Sequence, residues 1–422
     1  MISRLEKRIK MADIRPFRAI RPREDLVTEI AALPYDVYSR KEAYDLMKGN
    51  TLSFLRIDRP ETQFPEDYDM YSDEVYKKAH DMLWEMVEKG EFIQDQTPCY
   101  YVYALTMEGR RQVGIVACSG VQDYIDQIIK KHENTRAEKE QDRIRHVDTC
   151  DANTGPIFLA YREKAEINAV LDKYTALAPE YDFISDGGVR NEVWVVEDEA
   201  DIKTLVDGFA QIPSLYIADG HHRAASAVKV ALKRRAAHPD YTGDEEFNYF
   251  LAVYFRSNDL KILDYNRLIK DLNGLSPEEL LVKLGESFTV EAHDGAVRPA
   301  KRHGFGMYLD GKWYSLTLKD GIADESDPVG SLDVSLLQKL VISRIFGIDD
   351  PRTDKRIDFV GGIRGLGELE KRCGEDMRVA FSMYPTSLDE LMRIADASQI
   401  MPPKSTWFEP KLLSGLFIHF LR

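Results

Sequence analysis

Apolar positions in this chain fall into short blocks whose period switches repeatedly between helical and extended spacing. From Tyr71 to Gly90 they recur every three or four residues and stop at a glycine, which predicts a helix. Glu42 to Lys48 predicts a shorter helix ending near Gly49-Asn50, and the Pro- and Arg-rich stretch Ile14–Tyr38 reads as a strand, a turn and an extended segment. The run YYVYALTMEGRRQVGIVACSGV alternates instead and breaks at Glu108-Gly109, the pattern of a hairpin. Tyr124 to Asp148 is highly charged and begins helical, while GPIFLAY, NEVWVVED, FNYFLAVYF and KILDYNRLI read as strands or other buried material. Near residue 270 the pattern resets. SPEELLVKLGESFTVEA predicts a helix opened by a Ser276/Glu279 capping box, then a strand. Asp310-Gly311 between alternating strands is the strongest hairpin signal in the chain. SLDVSLLQKLVISRIFGI predicts an amphipathic helix, and MRVAFSMYPTSLDELMRIADAS a strand and a helix capped by Ser387 and Glu390. Strands and helices interleave without a βαβ rhythm, so the expected fold class is α+β.

Length and charge narrow the field. With 422 residues, 44% hydrophobic and 31% charged, the chain has material for two or three domains with real cores. A net charge of −15 argues against nucleic acid or an anionic membrane as the main partner. No apolar run approaches the ~20 residues of a membrane span. The N-terminal MISRLEKRIKMADIRPF lacks the apolar centre of a signal peptide, which argues against export and for a cytoplasmic protein. Cys99, Cys118, Cys150 and Cys373 lie far apart and form no C-x-x-C pair, so neither a disulfide framework nor a zinc knuckle is expected.

The densest chemistry lies in YIADGHHRAASA, Tyr216–Ala227. Leu215 to Ala218 reads as a buried strand and Ala224 to Ala236 as a helix, so the polar block occupies a strand-to-helix turn. First-turn N–H groups lack helical partners there. Alone, Asp219 reads as a helix cap and Gly220 as turn relief. Two histidines and Arg223 beside a helix N-terminus oppose the macrodipole unless an anion joins them, which favours a phosphate cradle.

Three further segments attract notice. Glu24 and Asp25 follow Pro22 in RPREDLV and could open a turn or short helix; an acidic pair is commonly plain surface. Asp36 in LPYDVYS suits an Asx turn. KKHENTRAEKEQDRIRH, Lys130–His146, reads first as a solvated helix face and second as a phosphate contact through His132, Thr135 and Arg136. In MPPKSTWFEPK, Lys404, Ser405 and Thr406 offer an ammonium and two hydroxyls suited to phosphate or carboxylate, or simply form a loop before an edge strand.

Taken together, these segments resemble a known family. IADGHHR resembles the signature turn of the ParB/sulfiredoxin-like fold, in the form found in free serine kinases, which phosphorylate L-serine with ADP or ATP. RPREDLV is similar to the segment of those kinases that carries the catalytic glutamate, here Glu24, and MPPKSTWFEPKL to their C-terminal proline-lysine-threonine loop. PYDV, HENT, DGHHR, ILDYNR and MPPKST together are similar to a large bacterial branch long labelled a domain of unknown function. The resemblance implies a ParB/sulfiredoxin-like nucleotide-binding core over 11–268, with an inserted hairpin and charged helix region. It implies a second α+β domain over 269–422 that closes over the cleft. It implies a kinase in which Gly220, His221, His222 and Arg223 hold the terminal phosphate of ATP or ADP, with Mg²⁺ near Asp219. Glu24 would be the base, Asp36 a second-rank catalytic candidate, and Lys404, Ser405 and Thr406 the contacts to a serine-like acceptor. His221 stands where sulfiredoxins carry their cysteine, which argues against thiol chemistry. A nucleotide-binding regulator and a phosphate hydrolase stay open as alternatives, as does the oligomeric state, a homodimer included.

Overall fold

The computed structural model describes residues 11–422. Most of the N-terminal stretch weighed above as a leader lies outside the described residues. No described helix is long and apolar enough to cross a membrane. The chain forms two compact units: residues 11–131, 135–260 and 410–422 make the first, and residues 132–134 with 261–409 the second.

The first unit is built on a nine-stranded sheet. In spatial order its main path runs Ile129–Lys130, Leu215–Asp219, Ile157–Tyr161, Tyr249–Arg256, Arg110–Gly120, Tyr100–Met107, Val189–Val196 and Tyr181–Ser185, and Ile14–Arg15 pairs with the far end of Arg110–Gly120. Two contacts are parallel, Leu215–Asp219 with Ile129–Lys130 and Tyr249–Arg256 with Ile157–Tyr161; the others are antiparallel. The expected hairpin forms with Tyr103 opposite Gly114, and Glu108 and Gly109 both take positive φ at its turn. Its strands are not half-exposed as alternation suggests: Tyr100 to Leu105 is continuously buried. Both faces of this sheet are covered, as for strands buried from two sides. Tyr100, Val102, Ile115 and Tyr254 pack with Phe209 and Leu171 on one face, while Tyr101 and Tyr103 meet Phe417 on the other. Phe417 belongs to the C-terminal segment, which returns to this unit and pairs His419–Phe420 with Ala152–Asn153. Isolated bridges join Ile418 to Ile20 and Ser414 to Ala32.

Helix His221–Ala237 starts three residues before the expected Ala224, which brings His221, His222 and Arg223 into its first turn. It packs on helix Ala137–Cys150, where Ser226 Oγ donates to the Glu140 carbonyl at 3.1 Å, while its Ala224, Ala227, Val228 and Ala231 join the core against the sheet. The charged run Lys130–His146 therefore departs from the solvated face its composition suggests. It breaks into strand Ile129–Lys130 and the helix, and the helix buries Glu140, Arg143 and His146. Partners make this tolerable: Thr135 close by and Lys229 from the next helix reach Glu140, and the distant Tyr35 stacks on Arg143.

The second unit holds a six-stranded antiparallel sheet ordered Phe288–His293, Lys312–Leu318, Gly304–Leu309, Val379–Met383, Tyr265–Ile269, Ile357–Gly361. The Asp310-Gly311 hairpin and both capping boxes, Ser276/Glu279 and Ser387/Glu390, form as expected. Helix Leu366–Glu375 lays Leu369 on Leu268, Trp313, Val360 and Ala380. The expected single amphipathic helix is α-helical only over Asp333–Leu337 and widens to a π-helix over Gln338–Ser343. The whole is a mixed α+β architecture.

Candidate functional site

Strand Leu215–Asp219 delivers Asp219 to the head of helix His221–Ala237, and Gly220 makes the turn between them at φ +90°. A Cβ on Gly220 would stand 3.2–3.4 Å from the guanidinium of Arg223, which folds back over the turn. Only a residue without a side chain suits both the dihedral and the approach. Gly220 is also the N-cap and offers no side-chain acceptor to the first-turn N–H groups. Asp219 is therefore not the cap. One of its oxygens accepts from the Gly220 N–H at 2.9 Å, and the other meets Lys411 Nζ at 3.1 Å. Burial alone would raise the Asp219 carboxyl, but Lys411 and Arg223 outweigh it and hold the group well below the usual carboxylate range.

The two histidines do not supply the positive charge expected from sequence. Burial pushes His221 down to about 4, so it is neutral at pH 7. Burial and Lys139 also push His222 below its ordinary value, and its Nε2 accepts from the Arg136 N–H at 3.0 Å. The fixed cations of this turn are Arg223 and Lys411. The neutral rings instead supply nitrogen donors or acceptors chosen by tautomer.

Arg223 also donates to the Pro156 carbonyl and borders a small cavity with Arg143, His146, Asp58, Thr154 and Ser414. Its water-accessible volume is about 20 Å³, room for a single water. Gly155 keeps it open, since a Cβ there would come within 2.9 Å of Ser414 Oγ.

Of the remaining expected residues of this unit, Arg136 meets the turn directly. Thr135 donates to Glu140 at 2.5 Å, and Arg136 offers its backbone to His222 while its side chain is exposed. Asp36 is exposed at the edge of a second cavity. Glu24 opens a short 3₁₀ turn, is exposed, and has no hydrogen bond or ion pair to the Asp219 turn among the described residues.

The second unit gathers the others. His132 is buried, its carbonyl accepts from Met401 N–H at 2.8 Å, and its Nε2 lies 3.3 Å from Thr406 Oγ1. Lys404 is exposed with φ +60° and lays its ammonium 5.4 Å from the Tyr265 ring centroid. Ser405 does not present its hydroxyl: it is buried and donates to the Pro402 carbonyl at 2.7 Å. The loop is held from below by Arg267, which donates to the carbonyls of Tyr265 and Lys404. Arg267 is buried with no carboxylate partner among the described residues, and burial pushes it down to about 10.

Sequence reasoning missed Lys411 and Arg267. Lys411 closes the very MPPKSTWFEPK stretch singled out for Lys404, and Arg267 closes ILDYNR. Spacing alone carries no hint that either would face a distant turn or loop.

The chain belongs to a family described as "Protein of unknown function (DUF1015)", whose model matches residues 14–335. No curated protein matches it. Among solved structures it is similar to a free serine kinase in complex with AMP, at 15% identity and TM-score 0.34, covering 69% of this chain and 86% of that one. It is similar to SbnI with a C-terminal truncation from Staphylococcus aureus, at 13% identity and TM-score 0.38, covering 71% and 85%. A conserved hypothetical protein from Pyrococcus furiosus matches at 15% identity and TM-score 0.31, covering 69% and 90%.

Proposed function

We propose that this protein is a nucleotide-dependent phosphotransferase acting on a small hydroxylated metabolite, free L-serine or a close relative of it. The observation that carries this reading is the head of helix His221–Ala237. A 17-residue helix begins there on Gly220, an N-cap that makes no side-chain cap hydrogen bond, with Arg223 and Lys411 as fixed cations. Such a helix end is suited to a phosphate. The DGHHR resemblance supports the same assignment.

Phosphoryl transfer asks mainly for positioning and charge neutralisation. Arg223 and the turn's N–H groups would hold the terminal phosphate of ATP or ADP, with His221 and His222 hydrogen-bonding to its oxygens. Asp219 fits as an oxygen ligand for Mg²⁺, because its carboxylate is held ionised and its side chain is 32% exposed. When bound, that ion neutralises phosphate charge. Glu24, exposed and without an ion pair among the described residues, would accept the proton of the acceptor hydroxyl. Asp36, His132, Thr135 and Arg136 are supporting candidates, and Lys404 and Thr406 would contact the acceptor. Ser405 would serve through its turn rather than its hydroxyl.

The experiment is to supply ATP or ADP with L-serine and identify products by mass spectrometry. O-phosphoserine is expected, and Glu24→Gln should lower turnover by about 10²–10⁴. Free phosphate without phosphoserine would instead mark a hydrolase. Salt-sensitive DNA binding without transfer would mark a nucleotide-switched regulator.

A further inference from the structure

Beside the phosphate turn, within the first unit, lies a second cavity that nothing above assigns. It is lined by Tyr35, Tyr38, Tyr71 and Tyr76 with Met70 and Val75, and Asp36 and Lys139 stand at its border. Its water-accessible volume is about 210 Å³, roughly ten times that of the cavity beside Arg223. Small-molecule sites share this make-up of aromatic walls with a few convergent polar groups.

The walls are built rather than incidental. Arg59 donates to the carbonyls of Tyr35 at 2.9 Å and Tyr38 at 2.6 Å while pairing with Glu61 at 2.6 Å. Arg40 ties down the facing loop through the carbonyls of Glu61, Phe64, Pro65 and Glu66. On the floor, Asp142 takes both Arg143 and the Tyr76 hydroxyl, each at 2.8 Å. The Arg143 guanidinium stacks 4.1 Å from the Tyr35 ring centroid, which fixes that ring's plane. Arg59 with Glu61 and Arg143 with Asp142 form ion pairs in the wall, and Asp36 and Lys139 are in no ion pair among the described residues. The hydroxyls of Tyr35, Tyr38 and Tyr71 make no hydrogen bond to the protein among the described residues, so they are available to a ligand.

We propose that this cavity binds a planar heteroaromatic ring, namely the base of the nucleotide. Tyrosine faces stack on such a ring, and free hydroxyls with Asp36 and Lys139 match its polar edge. Asp36 and Lys139 also act electrostatically on His222, which joins the cavity to the phosphate turn. The assignment rests on the nucleotide reading above and deepens it. It also gives a task to residues 35–76 and 139–143, most of which the kinase resemblance does not touch.

The test is calorimetric titration of the full-length protein with ADP, adenosine, ribose 5-phosphate and L-tyrosine. Adenosine is expected to bind without any phosphate. Tyr71→Ala, at an exposed position, is expected to weaken both adenosine and ADP about tenfold, with Tyr71→Phe restoring most of it. Tyr38→Ala serves as the second variant, and circular dichroism checks that both fold. Unchanged ADP affinity in both alanine variants overturns the cavity assignment while leaving the nucleotide reading intact. Binding of L-tyrosine but not adenosine overturns the choice of ligand. Failure of ADP itself to bind overturns the nucleotide reading and this one with it. Adenosine binding without any phosphoryl transfer supports the cavity and removes only the kinase.

Discussion

Lys411, near the C-terminus, places its ammonium 3.1 Å from the carboxylate of Asp219, across 192 residues of sequence. The pair fixes the carboxylate beside the helix head and keeps it charged. Lys411→Met is expected to cost about 1–3 kcal/mol of stability at pH 7, the scale of a charged hydrogen bond. Because the pair lowers the Asp219 pKa, its stabilisation is present above the ordinary carboxylate range and lost as pH falls through the depressed value. Urea midpoints of the two proteins should therefore converge in strong acid; a gap that persists there would refute the pairing as its source.

His221 gives a second pH signature of opposite chemistry. Its folded pKa of about 4 lies below the ordinary 6.5, so between those values the unfolded chain binds a proton that the folded one excludes. Stability should then fall with pH from about 6.5 to 4, by a maximum on the order of 3 kcal/mol. Denaturation midpoints across that window should show the slope in the wild type and a flatter one in His221→Gln.

Gly220→Ala sets a side chain at φ +90° against the Arg223 guanidinium. A strained dihedral of this kind costs about 1–3 kcal/mol. Both a lower thermal midpoint and a weaker inorganic phosphate affinity are expected, since Arg223 must move. A variant with full phosphate affinity would place the anion elsewhere.

In the second unit, Arg267→Met leaves the Tyr265 and Lys404 carbonyls without their donor. The loop at Lys404, already in the left-handed region, should open. Amide exchange over Met401–Trp407 is expected to speed up, with Arg267→Lys unable to restore it because one ammonium does not reproduce the guanidinium fork.

Local signals were readable wherever short-range chemistry decides the outcome. The capping boxes at Ser276 and Ser387 and the turns at Glu108-Gly109 and Asp310-Gly311 depend on residues within a few positions, and they formed as read. The burial of Arg143 and His146 was not readable, because the neighbouring Asp142 balances the charge of Arg143 but the groups that cover the two side chains come from other segments: Tyr35 stacks on Arg143, and His146 meets the Ile57 carbonyl. The same holds at the site. Gly220 and Arg223 announced a special turn, but the neutrality of His221 follows from burial that no motif records.

The return of residues 410–422 to the first unit has a consequence for synthesis. A ribosome releases residues 261–409 before the strand His419–Phe420 that completes the pairing with Ala152–Asn153. The first unit must wait, lacking Lys411 and Phe417, while its companion emerges and collapses. Truncation at residue 409 should accordingly yield an aggregation-prone protein, and a synthetic peptide of the missing thirteen residues, added during refolding, should rescue it.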